Sequence, residues 1–278
     1  MKPIADALGV ARSNLIEQVA SKEPAPSETA RAPEPDDALL ARIRTIVDVR
    51  GSYGYRRVTR LLNRQLEAEG AAHVNHKRVY RVMRSNDLLL ARYTGKSSRT
   101  HEGQIITLKS NLRWCSDAFE IRCWNGERVQ VAFSLDCCDR EAMRWVATTA
   151  AITGEMIRDL MAVTLEHRFG GGTTRAPHAV EWLSDNGPPY TANETRDFGE
   201  SLGFLVCTTP AYSPESNGMA ESFVKTFKRD YVYLNKLETA AAVLGQLQNW
   251  FDDYNEVHPH SGLKMQSPRE YLRNSATR

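Results

Sequence analysis

The stretches Trp114-Cys-Ser-Asp-Ala-Phe-Glu-Ile121 and Arg128-Val-Gln-Val-Ala-Phe-Ser-Leu135 decide the fold class of this chain. The second stretch alternates closely enough to indicate a half-buried β-strand. Asn125-Gly126 between them is a strong signal for a hairpin turn. The segment from Met143 to Thr149 is also strand-like, so three antiparallel strands joined by short turns are predicted.

Downstream of these strands, helical and strand patterns alternate. The predicted elements are a helix at 153–168, a Gly-rich loop at 170–172, a strand at 180–183, a helix at 193–202, a strand at 204–208, and helices at 217–232 and 238–256. Three antiparallel strands followed by alternating helices and strands predict an α/β domain with a mixed sheet.

Upstream of the sheet, residues 38–90 carry apolar residues at helical spacing. Asn75 is a suitable N-cap for a helix at about 76–86. At 100° per residue, one face of this helix carries the cationic residues Lys77, Arg81 and Arg84. Such a face fits DNA, and the alternative is an ordinary solvated surface.

Charge is distributed unevenly behind a net value of only +2. Residues 38–113 hold 16 basic and 5 acidic side chains, whereas residues 114–278 hold 16 basic and 22 acidic ones. A basic block joined to an acidic block indicates that the first binds a polyanion and the second has another task.

Composition also excludes several classes of protein. No apolar run approaches the roughly 18 residues of a membrane-spanning helix, and residues 1–10 lack an apolar signal core, so we expect a cytoplasmic protein. Five cysteines without a Cys-x-x-Cys pair argue against a disulfide-rich domain or a zinc knuckle.

The predicted domain organisation follows these shifts in pattern and composition. Around Gly9, a short helical segment is either a helix-turn-helix corner or a frayed terminal helix. The divisions are a short helical segment at 1–20, a Pro-rich linker at 21–37, a basic helical DNA-binding domain at 38–93, a connector at 94–113, a catalytic core with a C-terminal helix at 114–273 and a tail at 274–278.

Three acidic residues stand out by position. Asp117 lies inside the first strand, Asp185 follows the strand at 180–183, and Glu221 lies one turn into a helix. Clustered carboxylates need a cation to remain ionised together, and a pair of Mg²⁺ ions can serve phosphoryl transfer. Asp136 and Asp139 are competing candidates, for which we favour turn chemistry instead.

Two lysines follow Glu221 on the same helix face, since Lys225 and Lys228 lie within about 40° of it. They could hold the phosphates of the DNA strand that is cut or joined. The alternative is a common Glu–Lys pair on an exposed helix.

Several motifs together resemble a known family. Trp-x-x-Asp at 114–117, Ser-Asp-Asn-Gly at 184–187 and Ser-Pro-Glu-Ser-Asn-Gly-Met-Ala-Glu-Ser at 213–222 resemble the retroviral-integrase-type DDE core. The 35 residues between Asp185 and Glu221 match the spacing of that family. Tyr-Gly-Tyr-Arg-Arg at 53–57 and the tail at 254–271 resemble the OrfB transposases of insertion-sequence family three, in its insertion-sequence-two-like branch.

The resemblance implies an RNase H-like mixed five-stranded sheet with flanking helices, preceded by a small basic helix-turn-helix-like domain. It implies that Asp117, Asp185 and Glu221 bind Mg²⁺ or Mn²⁺, with two ions expected. The expected reaction is cleavage at the terminal inverted repeats of an insertion element, followed by attack of the freed 3′-hydroxyl on a second strand. We also expect a homo-oligomer on DNA, nucleoid association, and a partnership with the OrfA protein or an OrfA–OrfB fusion.

Further DNA contacts are predicted at Arg56 and Arg57 from the same resemblance. Asn217 is expected to shape the turn before Glu221, with Gly218 supplying the unusual backbone angles; direct contact with DNA is its second option. Two other functions stay open at this point. One is a catalytically silent DNA-binding protein derived from a transposase, and the other is a hydrolytic nuclease of the same fold.

Overall fold

The computed structural model describes residues 36–91, 107–209 and 218–276. The first range folds into three helices, α1 (Asp36–Val49), α2 (Tyr55–Ala68) and α3 (His76–Ser85). Asn75 caps α3 as predicted, since its side chain accepts a hydrogen bond from the backbone of Lys77. Because buried apolar residues from all three helices form one cluster, this helical module has a core of its own.

The linker predicted at 21–37 ends earlier than expected. Helix α1 already begins at Asp36, whose carboxylate accepts a hydrogen bond of 2.8 Å from Arg78 of α3. An acidic residue also suits the positive end of the helix dipole. The predicted segment at 1–20 lies outside the described residues, as does most of the connector at 94–113.

The second part of the chain contains the predicted mixed sheet of five strands. The strands are β1 (Arg113–Arg122), β2 (Arg128–Asp136), β3 (Ala142–Thr148), β4 (Val180–Ser184) and β5 (Phe204–Thr208). Their order is β3-β2-β1-β4-β5. The first three pair antiparallel, whereas β4 lies parallel to both β1 and β5.

Helices cover both faces of this sheet. They are α4 (Gly154–Phe169), α5 (Pro188–Thr191), α6 (Asn193–Ser201), α7 (Gly218–Asp230), α8 (Ala240–Glu256) and α9 (Pro268–Ala276). Val131 and Phe133 of β2 pack in the cluster under α7 and α8, and Ala132 between them packs in the cluster under α4 and α6. The alternation in the sequence therefore fills two cores, one on each side of the sheet.

The predicted elements recur with small shifts in their bounds, and α5 and α9 are additions. Helix α7 ends at Asp230, two residues before the predicted end, and α9 continues past the predicted domain boundary at 273. No helix in the described ranges is both long and apolar enough to cross a membrane.

The helical module docks on the sheet domain through helix α2. Arg57 donates a hydrogen bond of 3.0 Å to Asp230 at the end of α7, and Arg64 donates one of 2.6 Å to the carbonyl of Val257. Arg60 and Arg64 both pair with Glu270 of α9. The charges of α2 therefore meet acidic groups of the sheet domain.

Two groups just before α2 complete this junction. The hydroxyl of Tyr53 lies 2.7 Å from Nδ1 of His258, and both side chains are buried. Arg50 forms a two-point ion pair with Asp253 of α8, with one hydrogen bond of 2.7 Å. The junction thus joins residues about 170 to 210 positions apart in the sequence.

Candidate active site

Asp117 and Asp185 come from two neighbouring parallel strands. In the β1–β4 ladder, Trp114 lies opposite Trp182 and Cys115 lies opposite Leu183. Continuing this register by two residues places Asp117 beside Asp185, which directly follows the end of β4. Cys115 and Leu183 belong to the apolar cluster under α7 and α8, so Asp117 and Asp185 are placed on that face of the sheet.

Glu221 lies in the first turn of α7. The helix is fixed over the sheet by two phenylalanines on its inner side, as the sequence predicted. Phe223 stacks with its ring centre 4.3 Å from that of Phe133, and Phe227 lies 5.6 Å from Phe119 on β1. This packing leaves the side chain of Glu221 half exposed at the edge of the site.

The electrostatics of Asp117 show that the three acids influence one another. The pKa of Asp117 is raised to about 6, mainly by burial and also by the carboxylates of Asp185 and Glu221, against a hydrogen bond of 2.7 Å from the backbone of Ala118. Two like charges near a carboxyl group disfavour its ionised form. A bound cation would reverse this effect.

The three carboxylates fit a divalent metal ion by donor chemistry. Oxygen ligands with negative charge are what Mg²⁺ and Mn²⁺ prefer. In the described parts of the chain, no three carboxylate, histidine or cysteine side chains lie close enough to share one ion as they stand. Binding would therefore require the side chains to move towards one another.

The loop after β4 holds Asp185 in place. Oδ1 of Asp185 accepts a hydrogen bond of 3.0 Å from the backbone of Gly187. A Cβ atom on Gly187 would lie only 2.9 Å from that oxygen, so a larger residue would push the carboxylate away. The Ser-Asp-Asn-Gly motif thus has a local steric reason for its glycine.

Tyr190 supports the site, and the sequence did not reveal it. Its buried hydroxyl lies 3.0 Å from Oγ of Ser116, the neighbour of Asp117. Tyr190 belongs to α5, a helix of four residues that begins with two prolines. Proline favours the first positions of a helix, so the two prolines were the one signal for α5 in the sequence.

Asp136 and Asp139 serve the turn after β2, as we favoured. The carboxylate of Asp136 accepts hydrogen bonds of 2.7 Å from the backbone of Asn111 and Cys138, and of 3.1 Å from the indole of Trp114. Asp139 pairs with Arg168 at 2.8 Å. Both acids are fully buried and fully engaged, which removes them as competing catalytic candidates.

The two lysines of α7 lie near the site in different ways. Nζ of Lys225 is 3.7 Å from Glu221, which is the Glu–Lys pair that the sequence offered as the alternative. Nζ of Lys228 lies 5.7 Å from the ring centre of Phe119. Contact with DNA phosphates stays a prediction for both residues.

The predicted cationic face of α3 is present. Lys77, Arg81 and Arg84 are exposed, and none has an ion pair among the described residues. The opposite face of the helix is buried, through Val79, Val82 and Met83. Their role in DNA binding stays a prediction.

Arg57 is not free for the DNA contact that the resemblance suggested, because it is paired with Asp230 in the module junction. Its neighbour Arg56 is exposed and donates a hydrogen bond of 3.1 Å to the hydroxyl of Tyr55. Asn217 lies outside the described residues.

Both parts of the chain match known families. Residues 34–97 match the family described as "HTH-like domain". Residues 108–214 and 205–268 match two families, each described as "Integrase core domain". With the sheet order and the flanking helices, this defines the class: an RNase H-like integrase core preceded by a helix-turn-helix-like domain.

Curated relatives from Escherichia coli narrow the class. "Transposase InsD for insertion element IS2D" of strain K12 is 49% identical over 243 residues, which cover 87% of this chain and 80% of the relative. "Insertion element IS2A uncharacterized 48.2 kDa protein" is also 49% identical over 243 residues, and the chain spans 57% of its length. The chain belongs to the family of the IS2 transposases InsD.

Solved structures with similar folds are more distant in sequence. One is an intasome of simian T-cell lymphotropic virus in complex with PP2A regulatory subunit B56 gamma, with 15% identity, a TM-score of 0.48, and coverage of 84% of this chain and 74% of the other. Another is the catalytic domain of Mos1 transposase with raltegravir and Mg, with 18% identity, a TM-score of 0.42, and coverage of 60% and 78%. The assignment of the site therefore rests on the geometry of this chain.

Proposed function

We propose that this chain is a DDE polynucleotidyl transferase that cleaves DNA strands at the ends of its insertion element and joins the freed 3′-hydroxyl to a second strand. The observation that carries the proposal is the placement of Asp117, Asp185 and Glu221 on one face of an integrase-type sheet. Their mutual effect on the pKa of Asp117 supports it.

Asp117, Asp185 and Glu221 would hold Mg²⁺ or Mn²⁺, with two ions expected. When bound, such ions activate the attacking oxygen and stabilise the leaving oxygen in phosphoryl transfer. Each carboxylate comes from a different element: β1, the end of β4, and the start of α7. These three elements share one face only in the folded sheet domain.

The remaining groups of the site position these carboxylates and the DNA. The backbone of Gly187 orients Asp185, and the Tyr190–Ser116 hydrogen bond ties α5 to β1 beside Asp117. Lys225 and Lys228 extend from Glu221 along α7, where their charges can hold phosphates of the reacting strand.

The DNA substrate comprises the terminal inverted repeats of the element and a target duplex. The exposed cations of α3 would bind the phosphate backbone or a groove of that DNA. We further propose that the protein works as a homo-oligomer on DNA in the bacterial cytoplasm and nucleoid, with an OrfA protein or an OrfA–OrfB fusion as its partner.

Converting Glu221 to Gln tests the proposal, because the amide keeps the shape of the side chain and removes its charge. We expect Glu221→Gln to abolish cleavage and strand transfer in Mg²⁺ and to bind DNA as the wild type does. Glu200→Gln, which alters an exposed acid on α6, should leave both activities unchanged.

The assay follows radiolabelled DNA that carries the element ends, with the full chain used alone and as the fusion with the upstream frame. Cleavage by Glu221→Gln at the wild-type rate would contradict the role of Glu221. Nicked products without any strand-transfer product would instead identify a hydrolytic nuclease. DNA binding with no cleavage in either form would identify a catalytically silent derivative.

A further inference from the structure

We infer that the tip of the β1–β2 hairpin, residues 122–128, is a second DNA-binding site, where Trp124 stacks on a base of a single strand and Arg122 and Arg128 hold its phosphates. This inference rests on the proposed function, since it concerns the DNA strand that extends from the active site.

Trp124 is unusual among the tryptophans of this protein. Its side chain is 65% exposed, whereas Trp114 and Trp182 are fully buried and Trp250 nearly so. A large aromatic side chain left in solvent forgoes the free energy of burial, roughly 1.5–3 kcal/mol for a large apolar group. One exposed apolar side chain is common on a protein surface, and the rigid support and the arginines around Trp124 are what mark it as a binding site.

The hairpin tip is held firmly, so Trp124 is displayed by a rigid support. The backbone of Trp124 donates a hydrogen bond of 2.7 Å to the carbonyl of Leu237. Glu127 accepts one of 2.7 Å from the backbone of Ala240, at the start of α8. Gly126 has a φ of 88°, as the Asn-Gly turn requires. A preorganised group loses little entropy when a ligand binds.

The arrangement of charges around the tip destabilises the hairpin. Arg122 and Arg128 lie directly opposite each other in the β1–β2 register, and like charges in that position destabilise a sheet. Both side chains are largely exposed, and they share one carboxylate, Glu120, at 2.7 and 3.5 Å. A hydrogen bond from Arg122, and then the charges of Arg128 and Lys228, hold the pKa of Glu120 below its usual range. Arg122, Arg128 and Lys228 outnumber the two acids Glu120 and Glu127, so a small excess of positive charge remains at the tip.

A path along β1 leads from the candidate active site to the tip, with Lys225 and Lys228 on the side of α7, whereas Arg122 and Arg128 at its end point to the opposite face of the sheet from Asp117. Lys225 lies beside Glu221, and Lys228 reaches over Phe119 of β1. From there the chain continues to Arg122 and Trp124. Trp124 lies two residues beyond the end of β1 and seven residues after Asp117, which is at most roughly 23 Å. A DNA strand that leaves the site along this path would meet the tip within a few nucleotides.

An exposed aromatic ring between arginines has the chemistry of a site for single-stranded nucleic acid. Bases stack on aromatic rings with little sequence preference, while cations follow the backbone. A second protein chain would gain from the tryptophan, but two arginines that share one acid suit a polyanion better. We therefore choose a single DNA strand as the occupant.

The test measures binding of an oligothymidylate of about 16 nucleotides to the full chain, in buffer with EDTA and without divalent metal. Quenching of tryptophan fluorescence by iodide reports mainly on Trp124, since it is the most exposed tryptophan. We expect the oligonucleotide to protect Trp124 from iodide. Trp124→Ala should weaken binding about tenfold, and Trp124→Phe should retain most of the affinity. Arg122→Gln with Arg128→Gln should flatten the salt dependence.

Matched controls change similar groups elsewhere on the sheet domain. Leu205→Ala removes another exposed apolar side chain, and Arg175→Gln with Arg196→Gln removes two other exposed arginines. Wild-type affinity in both controls would tie the losses to the tip. Trp124→Ala binding as tightly as the wild type would overturn the inference. A changed sedimentation coefficient of Trp124→Ala with unchanged DNA affinity would also overturn it, in favour of a second copy of the chain.

The outcome is separate from that of the proposed function, because binding in EDTA needs no catalysis. Strand transfer by the wild type together with normal binding by Trp124→Ala would remove the inference and keep the proposed function. Weakened binding by Trp124→Ala in a protein that never transfers a strand would keep the inference and remove the proposed function.

Discussion

Helices α2 and α3 of the helical module are neighbours in sequence and space, and both are rich in cationic residues. Three of the four arginines of α2, Arg57, Arg60 and Arg64, point into the protein, where they pair with Asp230 and Glu270 of the sheet domain, whereas Arg56 is exposed. On α3, Lys77, Arg81 and Arg84 point outwards and have no ion pair among the described residues, whereas Arg78 pairs with Asp36 of α1. Helix α2 holds the two parts of the chain together, and the exposed cations of α3 are the ones that we propose for DNA binding.

This difference revises the meaning of the charge distribution. The basic block at 38–113 suggested a polyanion partner, and the acidic block at 114–278 left most of its negative charge unexplained. Part of each block neutralises the other across the junction. Because α2 fixes the module to the sheet domain, the exposed face of α3 has a defined position relative to the candidate active site.

The largest effect is expected from Asp230→Ala. The carboxylate of Asp230 is fully buried and pairs with Arg57 at 3.0 Å and with Arg229 at 2.6 Å. Removing one partner of a buried ion pair leaves an uncompensated charge and costs about 3–5 kcal/mol. Urea unfolding followed by circular dichroism measures this loss. Asp197→Ala on α6, which is exposed, should change the free energy of unfolding by less than about 0.5 kcal/mol. A similarly small change in Asp230→Ala would mean that the junction contributes little.

A pH dependence should follow from the buried histidines near the junction. Burial, with the charges of Arg140 and Arg57, lowers the pKa of His260 to about 3. Since an unfolded histidine titrates near 6.5, the folded state binds fewer protons below that pH. His260 therefore destabilises the folded protein as the pH falls from about 6.5 towards 3, by about 1.4 kcal/mol per pH unit, and has no such effect above 6.5.

The measurement is the free energy of unfolding between pH 7 and pH 5. His260→Gln should reduce the loss of stability over this range by about 2 kcal/mol, whatever its absolute stability, because the full slope of about 1.4 kcal/mol per pH unit is reached only well below pH 6.5. Lys77→Gln, which alters an exposed side chain of α3, should retain the wild-type slope. An unchanged slope in His260→Gln would show that another group causes the pH dependence.

A smaller loss is expected from Tyr53→Phe, which removes the hydroxyl that lies 2.7 Å from His258. A buried hydrogen bond contributes about 1 kcal/mol. The matched change in α3 is Tyr80→Phe, because the Tyr80 side chain is 39% exposed. Thermal unfolding should show a lower melting temperature for Tyr53→Phe alone. Equal shifts in melting temperature for the two variants would mean that the junction residue just before α2 stabilises the fold no more than the exposed residue of α3.

The smallest effect on stability is expected from replacing Lys77, Arg81 and Arg84 together by Gln. Each side chain is exposed, so each change should alter the free energy of unfolding by no more than about 0.5 kcal/mol. Urea unfolding measures this change in the free energy of unfolding. A loss of several kcal/mol would mean that these residues stabilise the fold, as those of α2 do.

Much of the fold could be predicted because its strands and helices have clear periodicities. The strands β1 to β5 and the capped helix α3 follow patterns of two to four residues, which are visible in a single sequence. Helix α5 could not be predicted in this way, since four residues contain barely one helical turn. Its tyrosine therefore escaped notice.

The candidate site was predictable for a different reason. Asp117, Asp185 and Glu221 were proposed from their positions at strand and helix boundaries and from the spacing of the motifs. Their meeting point depends on the register of β1 with β4, which is a pairing of residues 68 positions apart. The partner of Arg57 is 173 positions away, so the sequence could not show that Arg57 belongs to the junction.

The most direct test of the division between α2 and α3 is the salt dependence of DNA binding. The dissociation constant of a duplex with the element end is measured from low to moderate KCl for the wild type, the triple Gln variant of α3, and Arg57→Gln of α2. We predict that the slope of log Kd against log[KCl] falls by about 0.9 for each phosphate contact that the α3 variant loses, and stays at the wild-type value in Arg57→Gln. A wild-type slope in the α3 variant together with a reduced slope in Arg57→Gln would contradict the account.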